Sequence, residues 1–267
     1  MSKERITVLD FRRKKENGEK ITMLTAYDYP MASILDSAGI DAVLVGDSLA
    51  MVVLGQEDTL GVGMDEMVHH AKAVSRGVKR SFLIGDMPFM SYQPSDRDAV
   101  KNAGRFVQEA GCQAVKLEGG SEVLPRVKAI TEAGIPVLGH IGLTPQSVNK
   151  IGGYKVQGRF QQEAEKLTED ATLLEKAGCF ALILECVPEK LAGEITSKLK
   201  IPTIGIGAGK LCDGQVLVTY DMVGYFDKFV PKFVRRYAEI SKTIKKAVLS
   251  FKKQTEEGSF PSQEESF

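Results

Sequence analysis

Two opposite charges lie two residues apart in the apolar segment from Ala114 to Gly120, at Lys116 and Glu118. If this segment is a β-strand, successive side chains alternate between its faces, so both charged groups share one face. Val115 and Leu117 then point to the other face. Burying an ammonium or a carboxylate costs several kcal/mol per ion unless the charge is paired or bound. The spacing therefore indicates either a structural ion pair or a reaction site.

Four other apolar segments also end in polar residues that are able to do chemistry. These endings are Gly46-Asp47-Ser48, Gly85-Asp86, Gly139-His140 and Glu185-Cys186. A single aspartate after a strand is more often a helix cap than a ligand. In a barrel, however, all strand ends of this kind meet at one mouth. The endings together would gather four carboxylates, one lysine and one histidine around a small space.

Several carboxylates in one pocket repel each other unless a divalent cation lies among them. Oxygen ligands without thiolates favour a hard metal, Mg2+ first and Mn2+ next, over zinc. Asp47, Asp86 and Glu118 are the candidate ligands. Glu185, farther round the barrel, is the candidate general base. His140 is interpreted as a hydrogen-bonding wall residue that contacts the substrate, not as a metal ligand.

The elements that must position these residues follow a regular alternation of helices and strands. The predicted strands are Ile21 to Ala26, Ala42 to Val45, Phe82 to Ile84, Ala114 to Leu117, Pro136 to Leu138, Phe180 to Leu184, Ile201 to Ile206 and Gln215 to Thr219. Segments that are apolar at both parities are typical of parallel strands covered by helices. Four of the intervening helical segments end in Ala-Gly, at 38–39, 110–111, 133–134 and 177–178, which suits the left-handed residue after a helix.

Helical periodicity supports the same alternation. Apolar residues step by three and four along two of the helices, at Met67, Ala71, Val74 and Val78 and at Val100, Ala103, Val107 and Ala110. Eight strands in 267 residues predict an α/β fold, a single-domain (β/α)8 TIM barrel. An N-terminal helix is predicted at Val8 to Glu16 and a long C-terminal helix at Pro231 to Lys253. We expect residues 1–253 to form the catalytic barrel and residues 254–267 to be a disordered acidic tail.

Composition excludes several classes of protein. Lysine and arginine number 35, as do aspartate and glutamate, so no broad attraction to nucleic acid or to an anionic membrane follows. Met1 to Arg5 lacks the apolar stretch of a secretory signal, and no segment is long and apolar enough to span a membrane. The four cysteines form no Cys-x-x-Cys pair, so neither a zinc site nor a redox motif is indicated. The expected location is cytoplasmic.

Seven blocks of the chain resemble those of the ketopantoate hydroxymethyltransferase family, and together they run through nearly the whole barrel. They are residues 45–49 (VGDSL), 85–89 (GDMPF), 115–120 (VKLEGG), 139–147 (GHIGLTPQS), 152–158 (GGYKVQG), 185–188 (ECVP) and 205–209 (GIGAG). The resemblance departs from the family pattern at four positions, Ala50, Gln56, Gly61 and Met90. All four lie near the loops that follow the second and third strands, so they bear on folate binding more than on the metal chemistry.

The resemblance implies a barrel of the phosphoenolpyruvate/pyruvate superfamily that binds Mg2+. It implies transfer of a one-carbon unit from 5,10-methylenetetrahydrofolate to 3-methyl-2-oxobutanoate. On matched positions, Asp47, Asp86 and Glu118 take the metal roles and Glu185 that of the catalytic base. The residues implied to contact the keto acid are Asp47, Ser48, Asp86 and Lys116. The resemblance also implies a homo-oligomer, typically a decamer.

Two other functions were weighed. A Mg2+-dependent lyase or mutase on the same barrel often uses a cysteine in a flexible loop, and this chain has none between Cys112 and Cys179. A catalytically silent barrel kept for assembly would not need an intact set of polar strand ends. Both alternatives are therefore disfavoured by the residues present.

Overall fold

A computed structural model describes residues 5–228 and 230–267. Residues 1–4, where the sequence predicts no secretory signal, lie outside the described part of the chain, as does residue 229. The chain divides into two compact units, residues 1–217 and residues 218–267. All eight strands and all candidate site residues lie in the first unit.

The first unit contains a closed barrel of eight parallel strands, each paired with its neighbours in chain order. The strands are β1 Ile21–Thr25, β2 Ala42–Val45, β3 Phe82–Asp86, β4 Ala114–Glu118, β5 Val137–Gly142, β6 Ala181–Glu185, β7 Thr203–Ile206 and β8 Gly214–Leu217. Every residue of β2, β3 and β4 is buried, as expected for strands covered on both faces. The predicted barrel is confirmed, and each strand lies within a few residues of its predicted position.

Helices surround the strands. Their bounds are α1 Val8–Asn17, α2 Tyr29–Ser37, α3 Leu49–Val52, α4 Met64–Gly77, α5 Asp96–Ala110, α6 Leu124–Glu132, α7 Val148–Ile151, α8 Gln161–Lys176, α9 Glu189–Lys198, α10 Thr219–Met222 and α11 Ile240–Glu256. The glycine of each predicted Ala-Gly ending has a positive φ, at Gly39, Gly111, Gly134 and Gly178. The helix-ending pattern is thereby confirmed. No helix in the described part of the chain is long and apolar enough to cross a membrane.

One helix face differs from the sequence prediction. In α5 the buried face carries Phe106 together with Ala99, Ala103 and Ala110, whereas Val107 is exposed. Ala103 and Ala110 of the predicted stripe are confirmed, but Phe106 is buried in place of Val107 because its ring packs against Gly85. β7 and β8 are joined by a turn over residues 207–213, with no helix between them.

The interior of the barrel is apolar below its mouth. Phe11 of α1 is 1% exposed and packs edge-on against Phe82 and Phe180, with ring centroids 5.3 Å and 5.4 Å away. Strand residues such as Ile84 and Ile183 continue this core upward. The predicted N-terminal helix is therefore present and supplies an aromatic residue to the end of the barrel opposite the mouth.

The second unit contains the predicted long C-terminal helix, but it begins at Ile240 rather than near Pro231. The preceding segment instead bonds to residues 222–224: the amides of Tyr237, Ile240 and Ser241 donate to their carbonyls at 2.8–3.0 Å. Those amides are thus used outside an α-helical ladder. α11 continues past the predicted domain boundary at Lys253, and a capped 3-10 turn lies at Gln263–Glu265 in the segment predicted to be a disordered tail. The ranges 1–253 and 254–267 stay predictions.

Candidate active site

The register of the barrel brings the polar strand ends side by side. Asp86 at the end of β3 lies opposite Lys116 in β4, and Glu118 at the end of β4 lies opposite His140 in β5. Glu185, at the end of β6, pairs with Gly142 of β5. Because the strands are parallel, these residues all lie at the C-terminal ends of their strands.

Asp47 and Ser48 reach the same mouth from the end of β2. The backbone N–H of Asp47 donates to Asp86 Oδ2 at 3.1 Å, so the two aspartates are adjacent. Ser48 is the N-cap residue before α3, and its hydroxyl lies 2.9 Å from the hydroxyl of Tyr27. In this conformation Ser48 contacts a tyrosine that follows β1, and its predicted contact with substrate stays a prediction.

Lys116 is the cation at the centre of this arrangement. Its ammonium donates to both oxygens of Asp86, at 2.7 Å and 2.8 Å, and lies 3.5 Å from Glu118 Oε1. Lys116, Asp86 and Glu118 are all buried. The shared parity of Lys116 and Glu118 is confirmed, but the shorter ion pair of Lys116 is with Asp86 on the neighbouring strand.

The charges of the cluster shift one another's proton affinity. Burial raises the pKa of Asp47 well above its usual range, and the charge of Asp86 raises it further. Burial also raises the pKa of Asp86, against the opposing effect of Lys116. For Lys116 itself burial lowers the pKa, but Asp86, Glu118 and Asp47 outweigh that effect and raise it above its ordinary value. The site therefore holds a permanent ammonium among more carboxylates than it can neutralise.

Glu118 differs from the two aspartates because it has more partners. Burial raises the pKa of Glu118. The charge of Lys116 and the contacts with His140 and with the backbone N–H of Gln146 outweigh burial, so the pKa lies below its ordinary value. Glu118 is therefore a stable carboxylate without a metal. Of the three predicted ligands, it is the one whose pKa is lowered by its neighbours in the protein.

His140 bridges two carboxylates across the mouth. Its Nδ1 lies 3.4 Å from Glu118 Oε1 and its Nε2 lies 3.2 Å from Glu185 Oε2. Neither nitrogen has a well-aligned hydrogen bond to any residue that the structure describes, so these contacts are ion pairs of imperfect geometry. Burial and Lys116 lower the pKa of His140, but the two carboxylates raise it to about 9, so the ring is cationic at neutral pH.

Glu185 is the least enclosed carboxylate of the group, with its side chain 15% exposed against 2% for Glu118. Gly142 allows its strand to approach closely, since a Cβ at this glycine would lie 2.3 Å from the carbonyl oxygen of Glu185. The next residue, Cys186, takes a φ of 49°, which turns the chain away from the strand. Burial followed by the charge of Glu185 raises the pKa of the Cys186 thiol to about 12, so it is not a thiolate nucleophile.

Two residues of the site were missed by the strand-end reasoning, Gln146 and Tyr92. Both are buried, and both bond to Glu118. The backbone N–H of Gln146 donates to Glu118 Oε2 at 3.0 Å, and the Tyr92 hydroxyl donates to the Glu118 carbonyl at 2.9 Å. Gln146 follows β5 by a few residues, within a block quoted for the family resemblance. A search for polar residues in the loop after β5, and not only at the strand end itself, would have found Gln146. Tyr92 lies farther from the end of its strand, and its position in the sequence does not indicate a role in the site.

The predicted metal ligands lie close together but enclose an ammonium. In the described part of the chain, no group of three or more histidine, cysteine, aspartate or glutamate side chains is arranged to hold a metal ion as it stands. The position between Asp86 and Glu118 is taken by Lys116 Nζ. The structure therefore brings six predicted site residues to one mouth: Asp47, Asp86, Lys116, Glu118, His140 and Glu185.

Comparison with known structures shows the same fold. Phosphonopyruvate hydrolase in complex with oxalate and Mg2+ superposes with a TM-score of 0.62 over 97% of this chain and 93% of its own, at 12% identity. A 2,3-dimethylmalate lyase of the phosphoenolpyruvate mutase/isocitrate lyase superfamily gives 0.62 over 98% and 92%, at 15% identity. At such low identity, these similarities establish the fold alone.

Sequence relatives are far closer. The family model described as ketopantoate hydroxymethyltransferase matches residues 5–263. A 3-methyl-2-oxobutanoate hydroxymethyltransferase of Acetivibrio thermocellus is 58% identical over 264 residues, covering 99% of this chain and 93% of that protein. One of Clostridium novyi is 57% identical over 261 residues, covering 98% and 95%. A barrel with these strand ends, matched along almost its whole length, belongs to the ketopantoate hydroxymethyltransferase family.

Proposed function

We propose that this enzyme transfers a one-carbon unit from 5,10-methylenetetrahydrofolate to 3-methyl-2-oxobutanoate, giving 2-dehydropantoate and tetrahydrofolate for pantothenate biosynthesis. The observation that carries the proposal is the mouth itself: three buried carboxylates, a buried lysine and a more exposed glutamate on adjacent strand ends. A 2-oxo acid needs a positive environment for its carboxylate and keto oxygens and a base for its C–H. The mouth offers both within one family-typical barrel.

Mg2+ is the metal that the donor chemistry favours. Asp47, Asp86 and Glu118 offer only oxygen atoms, and burial together with mutual repulsion raises the pKa of both aspartates. A divalent cation would relieve that repulsion. For the ion to bind, the Lys116 ammonium would have to move away from Asp86, since it bonds to both oxygens of that carboxylate. Bound there, Mg2+ would supply the positive charge that favours an enolate of the keto acid.

Lys116 is the residue suited to the carboxylate of the keto acid. Its pKa is raised above the ordinary value, so it stays an ammonium and acts as a point cation. Transfer of this ammonium from Asp86 to the incoming carboxylate would free Asp86 as a ligand. Binding of the keto acid and of the metal should therefore favour each other.

Glu185 is the proposed base, which removes the proton from the branched carbon of the keto acid. His140, 3.2 Å from Glu185 Oε2, orients that carboxylate and, as a cation, adds positive charge beside a substrate oxygen. The enolate carbon then forms a bond to the methylene carbon of the folate, while both bonds from that carbon to folate nitrogens break. One water is consumed and supplies the hydroxyl of the product. No covalent bond to the enzyme is required.

The test is a product assay with the purified full-length chain, 3-methyl-2-oxobutanoate, Mg2+ and 5,10-methylenetetrahydrofolate labelled with 13C at the methylene carbon. We expect the label in the hydroxymethyl group of 2-dehydropantoate, and no product when the metal is chelated or either substrate is left out. Cleavage of the keto acid without incorporation of label would instead support a lyase and overturn the proposal.

We also propose a homo-oligomer, with the decamer as the expected assembly, in the cytoplasm. The four cysteines are free thiols, which suits a reducing compartment. In the second unit, α11 has no buried residue and exposes an apolar stripe made by Ile240, Ile244, Val248 and Phe251. A second copy of this chain is the proposed occupant of that stripe, since its spacing suits helix pairing.

Light scattering after gel filtration tests the assembly. It measures the mass of the native protein and of a variant with Ile244→Glu and Val248→Glu. A decamer that dissociates in the variant is expected. A monomeric native protein would contradict it.

A further inference from the structure

Gln146 is a buried side chain that belongs neither to the predicted ligand set nor to the proposed base. It lies in the 3-10 turn Pro145–Ser147 that follows β5, on the opposite side of β4 from Asp47. Its polar groups nevertheless reach two of the three predicted metal ligands. This combination singles it out among the buried polar residues of the mouth.

One oxygen of each of these two carboxylates is held by Gln146. Its backbone N–H donates to Glu118 Oε2 at 3.0 Å, and its side-chain Nε2 donates to Asp47 Oδ2 at 2.9 Å. The other oxygen of Glu118, Oε1, is the one that faces Lys116 and His140. Gln146 therefore fixes the rotation of both carboxylates and decides which oxygens point into the mouth.

The orientation of the Gln146 amide is itself fixed from both ends. Its Nε2 also donates to the backbone carbonyl of Met87 at 2.9 Å, so the amide faces two acceptors. Its Oε1 lies 2.9 Å from the Tyr92 hydroxyl, which shares its single proton between this oxygen and the Glu118 carbonyl, and 3.4 Å from Gln93 Nε2. The Tyr92 hydroxyl in turn contacts the backbone N–H and carbonyl of Glu118, at 3.1 Å and 2.9 Å.

Only an amide satisfies these partners. A carboxylate at position 146 would place a negative charge against Asp47 Oδ2 and the Met87 carbonyl, which both need a donor. An apolar side chain of the same length would leave these buried acceptors without a partner. Since the backbone N–H to Glu118 is independent of the side chain, substitution at Gln146 acts first on Asp47.

We propose that Gln146, supported by Tyr92, is a positioning residue that presents Asp47 and Glu118 to the divalent cation of the reaction. The inference rests on the proposed metal-dependent function. Partners that hold ligating groups in this way commonly change metal affinity 10–100-fold when they are removed, roughly the range expected here. The role is separate from that of Glu185, which should not alter metal affinity.

The experiment measures Mn2+ binding by electron paramagnetic resonance, in the absence of substrates and in the presence of the keto acid. The variants are Gln146→Met, Gln146→Glu and Tyr92→Phe. Gln161→Met is the matched control, because Gln161 is an exposed glutamine at the start of α8 whose side chain bonds to Glu165. Circular dichroism and melting curves establish that each variant is folded. Steady-state rates are then measured as a function of Mg2+.

We expect Mn2+ affinity to fall about 10–100-fold in both Gln146 variants and by a smaller factor in Tyr92→Phe, with Gln161→Met unchanged. Saturating Mg2+ should recover most of the kcat of Gln146→Met, which a merely destabilised protein would not show. Mn2+ affinity within twofold of the native value in a folded Gln146→Met overturns the inference. If that variant does not fold, unchanged affinity in Tyr92→Phe overturns it instead. A native protein that binds no Mn2+ even with the keto acid overturns the metal proposal and this inference together.

Discussion

β3 begins at Phe82 and ends at Asp86, and β6 is preceded directly by Phe180 and ends at Glu185. The same strands thus carry aromatic rings at one end of the barrel and carboxylates at the other. At the N-terminal end, the rings pack against Phe11 and bury apolar area, which stabilises the fold by about 1.5–3 kcal/mol per large side chain. At the mouth, buried charges oppose folding unless they are paired.

This difference between the two ends separates stability from chemistry. Substitutions at the aromatic end should change the free energy of unfolding and leave binding and rate intact in the folded fraction. Substitutions at the mouth should change binding or rate, and some should make the metal-free protein more stable. Four substitutions, from the largest expected effect to the smallest, test that separation.

Glu185→Gln should lower kcat about 10²–10⁴-fold, because it removes the proposed base but keeps its shape. The side chain is partly exposed and in contact with His140, so the melting temperature should change little. Steady-state assays and melting curves check both statements. Glu194→Gln, on the exposed face of α9, is the control. A rate within tenfold of the native rate would remove Glu185 from the chemistry.

Phe11→Ala should lower the free energy of unfolding by about 3–5 kcal/mol, since it empties the space between Phe82 and Phe180. Leu9→Ala is the matched control on the same helix, because Leu9 is 73% exposed. Denaturant titration measures the loss, and kcat per folded molecule should stay at the native level. A large fall in that kcat would show that the two ends are coupled.

Asp47→Asn should stabilise the metal-free protein at neutral pH by on the order of 1 kcal/mol, while weakening its affinity for Mg2+. Burial raises the pKa of Asp47 above its ordinary value of 3.8. The native state therefore binds the proton more tightly than the unfolded state, and stability is lost as the pH rises from 3.8 through the folded pKa. Asparagine does not titrate in this range, so the variant should not lose stability in this way.

Melting curves in a chelator at pH 5.5 and pH 8.0 measure the effect, with exposed Asp227→Asn as the control. From pH 5.5 to pH 8.0, the melting temperature should decrease more for the native protein than for Asp47→Asn. An equal decrease would show that Asp47 does not carry the buried charge.

Met90→Gly should give the smallest effect, a gain of about 0.5–1 kcal/mol in stability. Met90 has a φ of 65° in a loop after β3, and its side chain is 56% exposed. Glycine takes this left-handed conformation without the steric cost of a Cβ. Denaturant titration should show no gain for Met90→Ala, which keeps the Cβ. A gain for alanine as well would place the cause in the side chain rather than the backbone.

Much of the fold and site could be predicted because the responsible signals are local. Alternation along Ala114 to Gly120 sets the side on which Lys116 and Glu118 lie, and Ala-Gly pairs mark helix ends. In α5, Phe106 is buried where Val107 was predicted, because its ring packs against Gly85. That packing is a tertiary contact, which the sequence of the helix does not show. Gln146 could have been found by searching past the end of β5, but its partners Asp47 and Met87 come from distant parts of the chain, which no spacing reveals.

The pairing of Lys116 depends on distance across strands rather than on position in one strand. Sequence reasoning expected Glu118 to face a cation and Lys116 a substrate carboxylate. The structure brings Lys116 onto Asp86 at 2.7 Å, with Glu118 at 3.5 Å. The ammonium thus lies where carboxylates are in excess, and the expected roles of both residues toward metal and substrate stay predictions.

The central claim is that the mouth itself enolises a 2-oxo acid. The direct measurement is exchange of the hydrogen on the branched carbon of 3-methyl-2-oxobutanoate in deuterium oxide, followed by nuclear magnetic resonance with Mg2+ and without folate. We predict enzyme-dependent exchange that is lost on chelation and in Glu185→Gln. Exchange no faster than in buffer, from an enzyme that forms product when folate is present, would contradict the claim.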